Sequence, residues 1–242
     1  MNNETEKSGT MNASGAETAY PRWNWLYRIG SAAALITIVL IPVQIIVFIA
    51  WPPPYEGTVT DWFTLFQDNR FLGLLSLDLL LIFDYVLLVP IFLALYVALR
   101  RASESFMAIG TILAFVGIAV YFPSNTAFEM LSLSNQYAAA TTEAQRSMYL
   151  AAGRAMLAIF EGTAFYVSYV LLAVAGIMIS SVMLRSRVFS KVTASAGILG
   201  NAIGLGLFVP TLGLLLSLLS VPVLWIWYIL IARKLFQLGS GG

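Results

Sequence analysis

Long apolar runs separated by short charged segments are the feature that most constrains what this chain can fold into. Of its 242 residues, 60% are hydrophobic and only 10% are charged, whereas a soluble domain usually carries about 25% charged residues. A run of about 20 apolar residues is long enough to cross the hydrocarbon core of a bilayer as a helix. The sequence therefore predicts an all-α, polytopic membrane protein that spends most of its length in lipid.

The apolar runs predict a single bundle of six transmembrane helices over residues 21–238. The predicted spans cover residues 26–50, 71–99, 106–121, a segment that starts between 153 and 162 and ends at 184, 192–209 and 214–232. The second span would be roughly 43 Å long as one helix, so it must tilt or protrude. Before it, residues 62–66 carry apolar side chains typical of a short interfacial helix. Residues 124–160 fit either a helical extension or a loop.

Two terminal segments are predicted to lie outside the bundle. Residues 1–20 are too polar to bury a core, which favours a disordered tail rather than a signal peptide. Residues 239–242, with the sequence GSGG, are typical of a flexible appended tail.

Basic residues near the ends of the spans predict the orientation, because such residues resist translocation across the membrane. An even number of spans with both termini in the cytoplasm places most basic residues inside. The inner set is Lys7, Arg22, Arg28, Arg100, Arg101, Arg185, Arg187, Lys191, Arg233 and Lys234, and the outer set is Arg70, Arg146 and Arg154. We therefore expect a multi-pass protein of a prokaryotic cytoplasmic membrane.

The composition excludes several functional classes. The chain has no cysteine and no histidine, so disulfides, thiolate nucleophiles and histidine-ligated metals or haem are excluded. A net charge of +1 gives no indication of nucleic-acid binding. Because no nucleotide, metalloprotease or hydrolase motif is found either, no cofactor, metal site or catalytic residue is predicted.

Ionisable residues inside the spans are the candidates for function, because a charged group at the bilayer centre costs about 2.5–3.5 kcal/mol on insertion scales. Counting along straight helices places most of them in the middle or outer half of the membrane, which predicts an outward-facing polar pocket. Arg154 is the outer basic residue expected to neutralise Asp78 or Glu161. The candidate ligand-binding residues are Asp78, Asp84, Asn125, Glu129, Arg154 and Glu161.

The fifth span has small residues at helical spacing. Gly197, Gly200 and Gly204 lie on or beside one stripe, and Gly200 with Gly204 forms a GxxxG motif next to Asn201. Small residues let helix backbones approach closely in lipid. This stripe predicts packing within the chain, with a homodimer face as the alternative. In the sixth span, Trp225, Trp227 and Tyr228 are interpreted as interfacial anchors rather than as a cage for a cation.

Four segments resemble a family of bacterial and archaeal membrane proteins, domain of unknown function 4386. They are residues 161–165 (EGTAF), 186–191 (SRVFSK), the glycine-rich 196–206 and 224–228 (LWIWY), and the resemblance extends over residues 25–236. It implies a small multi-helix membrane protein. It implies no activity, so no residue role follows from it.

Three functional hypotheses remain open. The leading hypothesis is that the polar residues bind a small amphiphile or a lipid headgroup, with membrane lipids as the surrounding partners. The alternatives are a proton-coupled carrier that uses Asp78 and Asp84, and a membrane enzyme that works through carboxylates alone. Buried hydrogen bonds that merely hold the helices together would explain the same residues without any ligand.

Overall fold

The computed structural model describes residues 23–160 and 162–241, and all regular structure within those ranges is helical. The prediction for residues 1–20 lies outside this part of the chain, as does Gly242 of the tail predicted at residues 239–242. The α-helices are α1 Asn24–Ala50, α2 Val59–Asp68, α3 Arg70–Ser76, α4 Leu79–Leu99, α5 Glu104–Tyr121, α6 Ala127–Ala139, α7 Glu143–Phe160, α8 Thr163–Arg185, α9 Lys191–Gly204 and α10 Gly213–Gly239. Short 3-10 turns follow α5 and α9, at Phe122–Ser124 and Leu205–Phe208.

Six segments of the described chain are long and apolar enough to cross a membrane, which confirms the predicted number of spans. Each contains one of the helices α1, α4, α5, α8, α9 and α10. Their exposed side chains are largely apolar, as expected for helices that are surrounded by lipid. The chain is thus a multi-pass membrane protein.

The six spanning helices form a closed ring. Each packs on the next in the order α1, α4, α5, α8, α9 and α10, and α10 packs back on α1. Two hydrogen bonds join the first helix to the last: Ser31 Oγ donates to the carbonyl of Ala232 over 2.8 Å, and Arg28 Nε donates to the carbonyl of Gly239 over 3.0 Å. Gly239 is the last residue of α10, so this helix extends one residue into the predicted flexible tail.

The four shorter helices α2, α3, α6 and α7 form a separate layer, here called the cap. It covers one end of the ring, because α2 and α3 connect α1 to α4 while α6 and α7 connect α5 to α8. Its core contains Trp62, Phe63 and Phe66, all at most 2% exposed, together with Met130 of α6. The region 124–160 therefore consists of two helices, and not of a loop or a simple extension of α5.

The helix predicted around residues 62–66 exists as part of α2, and its apolar face is covered by protein. Its aromatic side chains pack against α6 and α7. The Ser134 hydroxyl also donates to the carbonyl of Phe63 over 2.9 Å, which ties α6 to α2.

The predicted second span is not one helix. The chain breaks between Ser76 and Leu79, where Asp78 adopts a left-handed conformation with φ 58° and ψ 38°. Such a conformation is sterically unfavourable for residues with a β-carbon, although Asp and Asn tolerate it better than most. The break separates α3, which belongs to the cap, from the spanning helix α4.

The glycine stripe of α9 packs within the chain, between α8 and α10. A β-carbon on Gly197 would meet Ser180 of α8 and Trp227 of α10, and one on Gly200 would meet Leu224 at 2.8 Å. A β-carbon on Gly204 would lie 3.1 Å from the hydroxyl of Tyr169. Asn201 packs against Gly176 and donates to the carbonyl of Gly197 over 2.7 Å. The glycine face of α9 is therefore occupied by α8 and α10. A homodimer through α9 would need another face of this helix.

The described basic residues divide between the two ends of the bundle. The cap end holds Arg70, Arg146 and Arg154, and the opposite end holds Arg28, Arg100, Arg101, Arg185, Arg187, Lys191, Arg233 and Lys234. The opposite end of the molecule is therefore much richer in positive charge than the cap end.

Candidate functional site

The break before α4 is held by the side chain of Asn125, which follows the 3-10 turn after α5. Asn125 Nδ2 donates to the carbonyl of Leu77 over 2.8 Å, with a longer contact of 3.4 Å to the carbonyl of Asp78. Its Oδ1 accepts from the backbone N–H of Ala127 over 3.2 Å, at the start of α6. One amide therefore satisfies backbone groups at two chain breaks, where a buried polar group without a partner would be costly.

This arrangement leaves the carboxylate of Asp78 free to face a cavity near the cap end of the ring. No hydrogen bond to this carboxylate is formed by the described residues. The cavity, here called the cap cavity, has a volume of about 360 Å³. Its lining consists of Tyr55, Asp78, Phe160, Phe165, Tyr166, Tyr169, Leu207 and Ser217. It thus combines one carboxylate with several aromatic rings.

The aromatic rings of the cap cavity support one another. Phe165 and Tyr166, at the start of α8, have ring centroids 5.6 Å apart at a steep angle, and Tyr166 lies 5.7 Å from Phe208. Edge-to-face aromatic contacts of this kind fix ring orientation as well as adding packing energy. The cavity wall is therefore a set of rings in defined positions.

A second cavity lies deeper in the ring, beside Asp84, and is here called the central cavity. It has a volume of about 280 Å³. Its lining consists of Thr37, Ile41, Leu81, Asp84, Tyr85, Leu88, Tyr169, Ser217, Ser220, Val221, Leu224, Trp225 and Tyr228. Asp84 is only 5% exposed, and its Oδ1 has no hydrogen-bond partner among the described residues. Thr37 lies beside this carboxyl group, yet its own hydroxyl also lacks a partner of normal geometry.

The two cavities share a wall made by Tyr169 of α8 and Ser217 of α10, which line both. The Tyr169 hydroxyl donates to the carbonyl of Gly204 over 3.0 Å and lies 3.5 Å from Ser217 Oγ. Tyr169 also borders a third cavity of about 150 Å³, which reaches Asn201 and Trp227. A series of polar positions therefore continues from the cap end toward the middle of the ring.

The structure brings together some of the predicted site residues and separates others. Asp78 and Asn125 meet at the helix break, and Asp84 lies in the adjoining cavity. Glu129 on α6 and Arg154 on α7 are exposed and line neither cavity. Glu161, between α7 and α8, lies outside the described residues. Arg154 thus does not occupy the cap cavity as the partner of Asp78.

Sequence reasoning missed the residues of α8 and α10 that complete the two cavities. Trp225 and Tyr228 line the central cavity, and Trp227 is 1% exposed, so their interpretation as interfacial anchors is wrong. Trp227 lies inside the bundle where Gly197 lets α9 approach α10 closely. The sequence does allow Ser217, Ser220 and Tyr228 to be identified as inward-facing, because they form a polar stripe on one face of an otherwise apolar span.

The chemistry of both cavities is that of cation recognition. Among the described residues, each cavity has one carboxylate, several aromatic rings and hydroxyl groups, and no lysine or arginine. Carboxylates attract positive charge, and aromatic faces attract organic ammonium groups through their quadrupoles. A strongly hydrated ion would find few polar groups to replace its water, and an anion would find no positively charged side chain in either described lining.

Comparisons with known proteins add no further constraint. A scan against protein-family models, a search of curated proteins and a search of solved structures gave no match to this chain. The resemblance to domain of unknown function 4386 stays a prediction from the sequence. What the protein binds is inferred from its own geometry.

Proposed function

We propose that this chain is a membrane protein that binds the ammonium group of a small organic cation, amphiphile or lipid headgroup in the cap cavity. The observation that supports this proposal is the carboxylate of Asp78, which has no partner among the described residues and shares its cavity with Tyr55, Phe165, Tyr166 and Tyr169. A carboxylate supplies the counter-charge and the rings supply favourable faces.

Energetics favour a cation over an anion at this position. A cation over an aromatic face gains about 0.5–2 kcal/mol, with the larger values where water is excluded. The carboxylate adds an attraction that grows as the local dielectric constant falls. An anion would be repelled by Asp78, and no described lining residue offers it a positive charge.

The size of the cap cavity suits the head of an amphiphile. Its volume of about 360 Å³ lies at the lower end of the range of small-molecule sites, roughly 300–1,000 Å³. A trimethylammonium group with a short polar arm fits inside it and leaves room for further atoms. The apolar part of a larger amphiphile would have to remain outside, in contact with lipid.

The division of basic residues supports an orientation for this site. Cytoplasmic ends of membrane proteins are enriched in Lys and Arg, and the end opposite the cap carries most of the described basic residues. The cap and the cap cavity would then face the outside of a prokaryotic cytoplasmic membrane, with both termini in the cytoplasm. The site would take its ligand from the outer leaflet or from the external solution.

Thermal unfolding of the purified protein in a mild detergent tests the proposal, with choline as the probe. Its neutral carbon isostere, in which carbon replaces the ammonium nitrogen, is the ligand control. Choline at roughly 100 times its Kd should stabilise the wild type by about 2.7 kcal/mol, because it binds only the folded state. The isostere should give little stabilisation.

Two variants test the assignment to Asp78. Asp78→Asn removes the charge with little change in volume and should abolish the choline effect. Glu129→Gln removes an exposed carboxylate of the cap and should leave that effect unchanged. Equal stabilisation by choline and by its isostere would contradict cation recognition. Absence of any choline effect, with Asp78→Asn merely less stable, would assign Asp78 to helix packing instead.

A further inference from the structure

We propose that the central cavity is a second site for the same class of organic ammonium ion, centred on Asp84, and that the cation reaches it from the cap cavity past Tyr169. The protein would then act as a carrier and not only as a binding protein. This inference rests on the proposed function of the cap cavity. It adds a second binding position, a direction of movement and a residue at the passage.

The central cavity contains buried polar atoms that lack partners. Asp84 is only 5% exposed. No hydrogen bond with the described residues is formed by its Oδ1, by Thr37 Oγ1 or by Trp225 Nε1. Leaving such groups unpaired in a low-dielectric interior is costly, most of all for a carboxylate. A carboxyl group kept inside a spanning helix at this cost indicates a binding role.

The central cavity repeats the chemistry of the cap cavity. Asp84 shares it with the rings of Tyr85, Tyr169, Trp225 and Tyr228, and no lysine or arginine occurs in its described lining. Its volume of about 280 Å³ is somewhat smaller than the 360 Å³ of the cap cavity. A ligand recognised at Asp78 therefore meets the same combination of groups at Asp84.

Tyr169 occupies the boundary between the two cavities and lines both. Its hydroxyl is held by the carbonyl of Gly204, the last residue of α9 before the 3-10 turn Leu205–Phe208. Leu207 of that turn lines the cap cavity. Rotation of the Tyr169 ring, with loss of one hydrogen bond to Gly204, would connect the two volumes. Tyr169 is the gating residue of this proposal.

Prolines in α1 and α10 lie in the turns that line the central cavity. Pro42 and Pro222 lack a backbone N–H, so the carbonyls of Ile38 and Leu218 lose their helical donors. Both carbonyls belong to turns that contribute lining residues on either side of them. The prolines let both helices bend beside the central cavity.

The opposite half of the ring is tightly packed. Leu95, Met183 and Leu235 are 0% exposed, and Tyr27 is 1% exposed. The hydrogen bond from Ser31 to Ala232 closes the seam between α1 and α10 at the same level. In the described conformation the two cavities therefore lie toward the cap, and the basic end of the ring is closed by packed side chains. A carrier alternates between this arrangement and its reverse.

Uptake of labelled choline into proteoliposomes, combined with choline-induced thermal stabilisation, tests the inference. The wild type should show both saturable uptake and stabilisation. Asp84→Asn should keep the stabilisation that the cap cavity provides, while uptake falls to about a tenth or less of the wild-type rate. The exposed Asp68→Asn variant is the matched control and should keep both properties.

A second variant guards against an indirect effect of Asp84→Asn. Val221→Phe adds bulk to the lining of the central cavity without touching the cap cavity, and it should also lose uptake and keep stabilisation. Leu219→Phe, on the lipid-facing side of the same helix at 51% exposure, is its control. Normal uptake by Val221→Phe or by Asp84→Asn would overturn the second site.

The remaining outcomes separate this inference from the proposed function. A wild type that is stabilised by choline but shows no uptake would overturn the carrier and leave the cap cavity as a binding site. A wild type that shows neither stabilisation nor uptake would overturn both.

Discussion

The side chain of Asn125 and the carbonyl of Leu77 form a 2.8 Å hydrogen bond across 48 positions of the chain. This bond joins the segment after α5 to the break before α4, and so it couples the cap to the ring. It also fixes the backbone that presents Asp78 to the cap cavity. A residue with no direct contact to a ligand can thus control the geometry of the site.

The first prediction concerns this bond. Asn125→Ala leaves the carbonyl of Leu77 without its side-chain donor, which should lower the free energy of unfolding by about 1–3 kcal/mol. Choline-induced stabilisation should weaken as well, because Asp78 loses its positioning. Denaturant unfolding in mixed micelles measures both effects. Asn135→Ala, on an exposed face of α6, should change stability by no more than about 0.5 kcal/mol.

The second prediction separates the backbone of Asp78 from its carboxylate. Asp78→Gly and Asp78→Ala both remove the charge, so both should lose the choline effect. The Gly variant should nevertheless be about 1–2 kcal/mol more stable, because the left-handed conformation is costly for a residue with a β-carbon. At the exposed Asn135, in the interior of α6, the order should reverse, since Gly is about 1 kcal/mol worse than Ala in a helix. Equal stabilities of the two Asp78 variants would contradict the left-handed geometry.

The third prediction concerns the close contact of α9 with α8 and α10. Gly197→Ala places a methyl group against Ser180 and the indole of Trp227, and such overpacking should cost about 1–3 kcal/mol. Unfolding monitored by circular dichroism measures the loss. Ser195→Ala, on the exposed side of the same helix, is the control and should stay within about 0.5 kcal/mol. A Gly197→Ala variant as stable as the wild type would show that α9 is loosely packed.

The sequence allowed the spanning helices to be predicted because hydropathy is summed over about 20 residues, and small errors at either end do not matter. The break at Asp78 could not be predicted in this way. Neither Leu77 nor Asp78 is a helix breaker of the Gly or Pro type, and the donor that stabilises the break comes from Asn125, far along the chain. A local pattern does not contain such a contact.

The candidate site was predicted only in part, because depth was counted along straight helices. The chain turns after Ser124 and enters α6, which places Glu129 in the exposed cap rather than beside Asp78. Tyr169 and Ser217 were missed because they come from different helices and meet only once the ring has closed. Single carboxylates in apolar spans can be found by inspection, but their neighbours depend on helix rotation and pairing.

The closed ring also has a consequence for how the protein is made. The hydrogen bond from the Ser31 hydroxyl to the carbonyl of Ala232 cannot form until a residue 201 positions later has been synthesised. The side of α1 that contacts α10 therefore stays unpaired until the last span enters the membrane. Contacts this distant in sequence form late, since the intervening chain must first be ordered. A chain shortened within α10 would leave a gap in the wall of the ring, and every cavity behind that wall would open sideways to lipid. Biosynthesis therefore completes the cavities only when the final helix is in place.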